Sequence, residues 1–190
     1  ERFVLVNGLD AWVETPAGTF AISSQRYSPD VLHPDGAKRL DRFDAEPWPR
    51  WTYVLEDGTR VGQELFVPRG KPLVVLGWRL LEPKAGVKLS VRPFLAGRDF
   101  HALHRENPAF RFDAEPLGDG VLWRPYPGVP GIAAASSGEY FHEPLWFRSF
   151  HYEEEEARGL DALEDLASPG VFRMDLSSGG AVLVLAAAGD

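Results

Sequence analysis

Between Arg98 and Asn107 the chain places Asp99, His101, His104, Arg105, Glu106 and Asn107 within ten positions, around one phenylalanine, Phe100. Side chains of these types support three kinds of chemistry. An imidazole beside a carboxylate exchanges protons with a substrate. His101-x-x-His104 with Glu106 offers nitrogen and oxygen to a metal, but the spacing matches no standard zinc pattern and no further ligand is signposted, so no metal is expected. Planar polar groups next to an apolar ring hold sugar hydroxyls, with Phe100 as the platform. The plain alternative is a polar loop in which Asp and Asn cap turns while Arg and Glu pair at the surface.

A second constellation comprises Arg158, Asp161, Glu164 and Asp165. Leu160, Leu163, Leu166 and Ala167 recur at helical spacing and Pro169-Gly170 closes the run, which predicts one short helix over 160–167. Asp161 then falls near the helix start, where a carboxylate meets unpaired N–H groups. Glu164 and Asp165 fall at the unfavourable end, leaving Arg158 or a neighbouring domain to compensate. Adjacent helical positions point about 100° apart. The two acids therefore do not flank one bond as a glycosidase pair must. Contact with a neighbouring domain is expected of these residues, no catalytic residue is expected among them, and Glu153 to Glu156 reads as a solvated strand end.

The six tryptophans divide by context. Trp78, inside an apolar run, reads as core. Trp48-Pro49-Arg50-Trp51 enters a strand from a proline-rich segment, which makes Trp48 and Trp51 the better candidates for an exposed sugar-stacking surface.

These residues need a scaffold, and the apolar pattern supplies strands. Runs at Arg2 to Val6, Gly18 to Ser23, Trp51 to Glu56, Arg60 to Val67 and Leu73 to Leu81 are separated by turn residues. Val87, Leu89 and Val91 alternate with Lys88, Ser90 and Arg92, so one face is buried and one wet. Asp57-Gly58 predicts a two-residue hairpin turn. Further strands are expected at Phe110 to Ala114, Val121 to Arg124, Leu145 to Glu154, Val171 to Leu176 and Ala181 to Ala187. With about a dozen strands and one helix, the chain reads as all-β.

The chain of 190 residues, 44% hydrophobic and 25% charged, is long enough for one domain burying roughly 70% of its extended-chain surface. Its 19 glycines and 16 prolines are spread through turns, so no linker, domain boundary or repeat is expected within 1–190. A formal charge of -8 disfavours nucleic acid, which is bound through clustered Lys and Arg. No apolar run approaches the roughly 18 residues of a membrane helix. Zero cysteines exclude disulfides and thiolate sites. No basic segment followed by an apolar core opens the sequence, so a cytoplasmic location is expected. Gly-rich phosphate loops and Gly-x-Ser-x-Gly elbows are missing, and no cofactor is expected.

Three segments together resemble the N-terminal domain of bacterial and archaeal glycogen debranching enzymes. They are the opening Asn7-Gly8-Leu9, the stretch Arg98-Asp99-Phe100-His101-Ala102-Leu103-His104-Arg105-Glu106-Asn107, and Trp146 to Phe172. Members of that family usually continue with a second glycine and a Thr-Arg-Arg-Tyr-His-Gly segment. Here Asp10 follows Leu9, and Ser24-Gln25-Arg26-Tyr27-Ser28-Pro29 keeps only Arg26 and Tyr27. The resemblance implies a large antiparallel β-sandwich of the kind found beside glucoamylase-type barrels and in aldose mutarotases. It also implies a non-catalytic part of a longer enzyme that positions an α-glucan and supports a following (α/α) barrel hydrolysing α-1,6 branch points. On this reading Asp99, His101, His104, Glu106, Asn107, Trp48 and Trp51 are expected to meet substrate, and Arg158, Asp161, Glu164 and Asp165 the barrel. Alternatives are a free-standing glucan-binding module and a mutarotase-like enzyme with His101 or His104 and Glu106 as acid and base.

Overall fold

The computed structural model describes residues 2–189. Strands β1 (Phe3–Thr15), β2 (Gly18–Ala21), β3 (Gln25–Tyr27) and β4 (Val31–His33) open the chain. A 3-10 turn at Gly36–Arg39 leads to β5 (Leu40–Asp44), β6 (Arg50–Val54), β7 (Arg60–Phe66), β8 (Leu73–Leu80) and β9 (Lys88–Asp99). After β10 (Ala114–Leu117), β11 (Gly120–Trp123), β12 (Gly131–Ser136) and β13 (Glu139–His151) comes helix α1 (Glu153–Ala157), then β14 (Leu163–Asp175) and β15 (Ala181–Ala188).

The strands form two antiparallel sheets. A seven-stranded sheet runs β2-β1-β9-β14-β13-β3-β4, and an eight-stranded sheet runs β10-β11-β12-β15-β8-β7-β6-β5. Their inner faces share one core. Val87, Leu89 and Val91, each fully buried, meet Trp78, Trp123, Ile132 and Leu183 from the opposite sheet. The alternation across 87–92 thus faces as its pattern demands, and Trp78 is core. Each such aliphatic side chain contributes about 1.5–3 kcal/mol through burial, an upper bound because denatured chains already hide some surface.

A second, smaller core lies on the outer face of the seven-stranded sheet. Phe94, Ala96, Phe150 and Leu166 are buried there under Tyr27, Phe147 and Tyr152. Phe94 packs edge-on against Phe147 at 4.9 Å and Phe150 at 5.1 Å between ring centroids.

That second core corrects the helix expected over 160–167. The segment from Leu163 is strand β14, with Ala167 in the inner core and Leu166 in the outer one. From Leu166 to Phe172 the strand is buried on both faces and has no wet side to alternate with, and with the exposed Leu160 and Leu163 ahead of it the apolar residues fall at helical spacing. Pro169 and Gly170 stand inside the strand, where its register against β9 shifts between Ala167 and Phe172. Pro is tolerated at such a bulge. The α-helix forms instead at Glu153–Ala157, expected as a strand end; glutamate is a good helix former, and all four acids occupy the first turn, where the helix dipole favours them.

The hairpin at Asp57-Gly58 is present with a longer loop than expected. Leu55 N–H donates to Thr59 O at 2.9 Å and Gly58 N–H to Leu55 O at 2.9 Å, leaving three residues in the loop. Gly58 takes φ +81°, a turn followed by a left-handed residue, as three-residue hairpins require. Residues 110–113, expected as strand, are irregular, and β3, β4, β5 and β12 had no counterpart among the expected runs.

Candidate functional site

The segments that carry the resemblance converge on one cleft at the end of the seven-stranded sheet. A cavity of about 920 Å³ opens there between Asn7 of β1, Arg26 of β3, Arg98 of β9, Phe100, His101 and Tyr152. Its floor is organised by Glu164. This carboxylate is fully buried and sits on the outer-facing side of β14, beside Leu166. It accepts five donors: Arg98 Nε, Arg98 Nη2 at 3.3 Å, Asn7 Nδ2 at 3.2 Å, Tyr152 OH at 2.5 Å and His104 N–H at 2.9 Å. A charge removed from water is tolerated only when paired and hydrogen-bonded this fully. Burial, and then the neighbouring Glu164, push the Tyr152 hydroxyl well above the ordinary tyrosine range, so it stays protonated as the donor.

His104 and Asp165 form the second tie. Asp165 N–H donates to His104 O at 2.9 Å, and His104 Nδ1 lies 2.8 Å from Asp165 O, so that nitrogen carries the proton. His104 Nε2 then accepts from Tyr126 OH at 2.6 Å, and Tyr126 OH accepts from Asn107 Nδ2 at 2.7 Å. Burial lowers the His104 pKa below 6.5 and keeps the ring neutral, as this network requires. The Asp165 side chain accepts Glu106 N–H at 3.1 Å and Ser149 N–H at 2.9 Å. Ser149 is the one non-glycine residue with positive φ, 65°, among those described, at a bulge between Phe147 and Phe150.

The remaining motif residues pair across the two segments. Arg105 Nη2 meets Asp161 Oδ2 at 3.1 Å, and Arg148 Nε meets Glu106 Oε2, both at the surface. Asp99 Oδ1 accepts His101 N–H at 2.9 Å, turning the loop so that the His101 ring lies 3.7 Å from Phe100. Phe100 is 44% exposed and Leu160 55%, giving the cleft an apolar rim. His151 also lines it, with Nε2 at 3.0 Å from Glu156 and a buried Nδ1 that has no partner among the described residues.

The expected site residues therefore separate into groups. Asp99, His101, His104, Glu106 and Asn107 join Asp161, Glu164 and Asp165 in one cluster. Arg158 stays apart; it bonds Glu154 O at 2.8 Å and Glu155 Oε1 at 3.2 Å in its own helix and compensates neither Glu164 nor Asp165. Trp51 lies on β6 of the other sheet and Trp48 in the connection from β5 to β6. Trp51 packs half-buried against the inner core, 5.3 Å from Phe43, whereas Trp48 is 42% exposed. Asn7, Arg98 and Tyr152 were visible as parts of motifs but not as a site, because only the fold gives them a common acceptor; Tyr126 carried no sequence signal.

The two departures from the family pattern meet in space. Asp10, standing where a second glycine is usual, accepts from Ser23 Oγ at 3.0 Å and Gln25 Nε2 at 3.2 Å. Burial raises its pKa, with Gln25 and Ser23 opposing.

A family model described as glycogen debranching enzyme N terminal matches residues 1–183. The chain belongs to this family. The resemblance carried by the three sequence segments is thereby borne out. A bacterial glucoamylase crystallised with acarbose is similar over 96% of the chain at 9% identity and a TM-score of 0.49, a likeness too distant to pass on substrate or mechanism. The chain spans 27% of that structure's length. No curated protein matches the sequence. Among the described residues of this debranching-enzyme N-terminal family member, no helix is long and apolar enough to cross a membrane, and no group of three His, Asp or Glu is placed to hold a metal ion.

Proposed function

We propose that this chain is the non-catalytic β-sandwich of a glycogen debranching enzyme. In this reading the cleft around Asn7, Arg98, Phe100, His101 and Tyr152 is the seam where an α-glucan and the catalytic barrel of the same protein meet. The observation that carries the proposal is the mutual commitment of the two motifs. Glu164 is fully buried under five donors, and both nitrogens of His104 are engaged. Groups held this way shape a surface and are poorly placed to exchange protons with a substrate. The same commitment weighs against a mutarotase-like pairing of His104 with Glu106, and the His101 ring packs on Phe100. The exposed rim of Phe100 and Leu160 suits a surface that another domain covers.

The test is a branched malto-oligosaccharide added to the chain while sugar release, anomer exchange and the His101 ring signal are followed. A saturable His101 shift without glucose release or faster anomer exchange is expected. Glucose release, or anomer exchange lost in Glu106→Gln, would replace the proposal with an enzymatic one. In the full-length enzyme, amides near Phe100 and Leu160 should gain protection from hydrogen exchange relative to the chain alone.

A further inference from the structure

The outer face of the eight-stranded sheet holds a cavity of about 450 Å³ that the motif cleft does not touch. Along β6, β7 and β8 the residues Tyr53, Val61, Leu76 and Trp78 face the inner core, so the alternate positions face outward. Directly opposed residues then form a row across the sheet: Asp44 faces Arg50, Arg50 faces Glu64, and Glu64 faces Gly77. A second row brings Thr52, Gly62 and Arg79 alongside.

This face leaves most of its charges without ion pairs, Arg50 Nη2 donating to the Glu46 carbonyl at 3.1 Å. Among the described residues, Arg50, Glu64 and Arg79 have no ion-pair partner, although Arg50 and Glu64 stand opposite each other; Asp44 alone is paired, to Arg42 at 2.7 Å. Glu64 Oε2 instead accepts the Trp48 indole N–H at 3.0 Å and ties the exposed ring, which lies outside the lining itself, to the cavity wall, 6.1 Å from Phe66. Gly62 and Gly77 set the depth. Neither has a left-handed backbone, and a Cβ at Gly77 would meet Glu64 Cγ at an ordinary 3.4 Å, so nothing in the backbone demands glycine there. Glycine inside a strand weakens it and often marks a close approach by a ligand.

From these features we infer that the groove is a second contact surface for a linear α-glucan chain. It rests on the debranching-enzyme reading for the class of substrate and goes beyond it in locating a site remote from the seam. Two guanidinium groups and two carboxylates balance in charge, which suits a neutral ligand over a polyanion. Their planar forks hold hydroxyl pairs, the open volume lies within the range of small-ligand sites, and Trp48 supplies a face for a sugar ring.

The experiment is a titration of the chain with maltoheptaose, following the Trp48 indole N–H and the His101 ring as separate reporters. A saturable Trp48 shift is expected, weakened about tenfold or more in Gly77→Val and in Arg79→Ala. Gly77→Val fills the groove against Glu64, with Oε1 3.5 Å from the new Cβ, so affinity should fall while the sugar-free Trp48 indole N–H signal, which reports the Glu64 bond, keeps its parent position. A Trp48 signal that stays still at millimolar sugar, or a Gly77→Val variant that binds as the parent does, overturns the groove. A moving His101 with a still Trp48 overturns it too and leaves the seam standing, whereas a moving Trp48 with a still His101 supports the groove and removes the glucan contact from the seam.

Discussion

The cleft on one sheet and the groove on the other handle charge in opposite ways. At the cleft, acids and bases are packed densely in sequence and then satisfy one another, down to a fully buried carboxylate. On the groove, charged residues are spaced singly along strands and face each other without pairing. Density of polar residues in sequence therefore marks where a chain must be held in shape. Charged groups without an ion-pair partner sit instead on β6 to β8, beside the Trp48-Pro49-Arg50-Trp51 segment.

The contrast breaks first at Glu164. Glu164→Leu strands the Arg98 guanidinium in a buried site and should lower stability by about 3–5 kcal/mol in urea unfolding, with only the Arg98 share regained on adding Arg98→Met because Tyr152 OH, Asn7 and His104 N–H still lack this acceptor. A loss too small to measure would mean the cleft is as open as the groove. Asp165→Ala, which frees Ser149 N–H and Glu106 N–H, should lose about 1–3 kcal/mol. Adding Ser149→Gly should recover part of that, since glycine accepts positive φ without strain.

A pH series sharpens the comparison further. His104 has its folded pKa depressed by burial, so the unfolded chain binds the extra proton first as acid is added. Stability should be constant above the unfolded value near 6.5 and fall as pH drops below it, a slope that His104→Asn removes. Breaking the surface pair with Arg148→Ala should change stability by less than about 1 kcal/mol.

Much of the scaffold was legible because its strands have one wet face. Val87 to Arg92 alternates, and Asp57-Gly58 marks a hairpin. What escaped has a physical reason in each case. β14 lies between two cores from Leu166 to Phe172, and the exposed Leu160 and Leu163 ahead of that stretch complete the helical spacing by coincidence, while Glu153 to Glu156 lacked the apolar stripe by which a helix is read. Edge strands β4 and β5 keep most of their side chains exposed, which leaves little periodicity to find. In the site, His104, Glu106 and Asp165 could be named from composition. Their partnership could not, because His104 and Asp165 lie 61 positions apart and only sheet pairing brings them together.

Asp165 has one more consequence, in time. A single carboxylate grips the β13 bulge through Ser149 and the motif loop through Glu106, while its backbone grips His104. The Ser149 and His104 attachments are partly buried, and the Glu106 attachment at the surface is joined to them through the same residue. The loop and the bulge should therefore open together, and the amides of Ser149, Glu106 and Asp165 should exchange with solvent at one shared rate, as a single local unfolding unit.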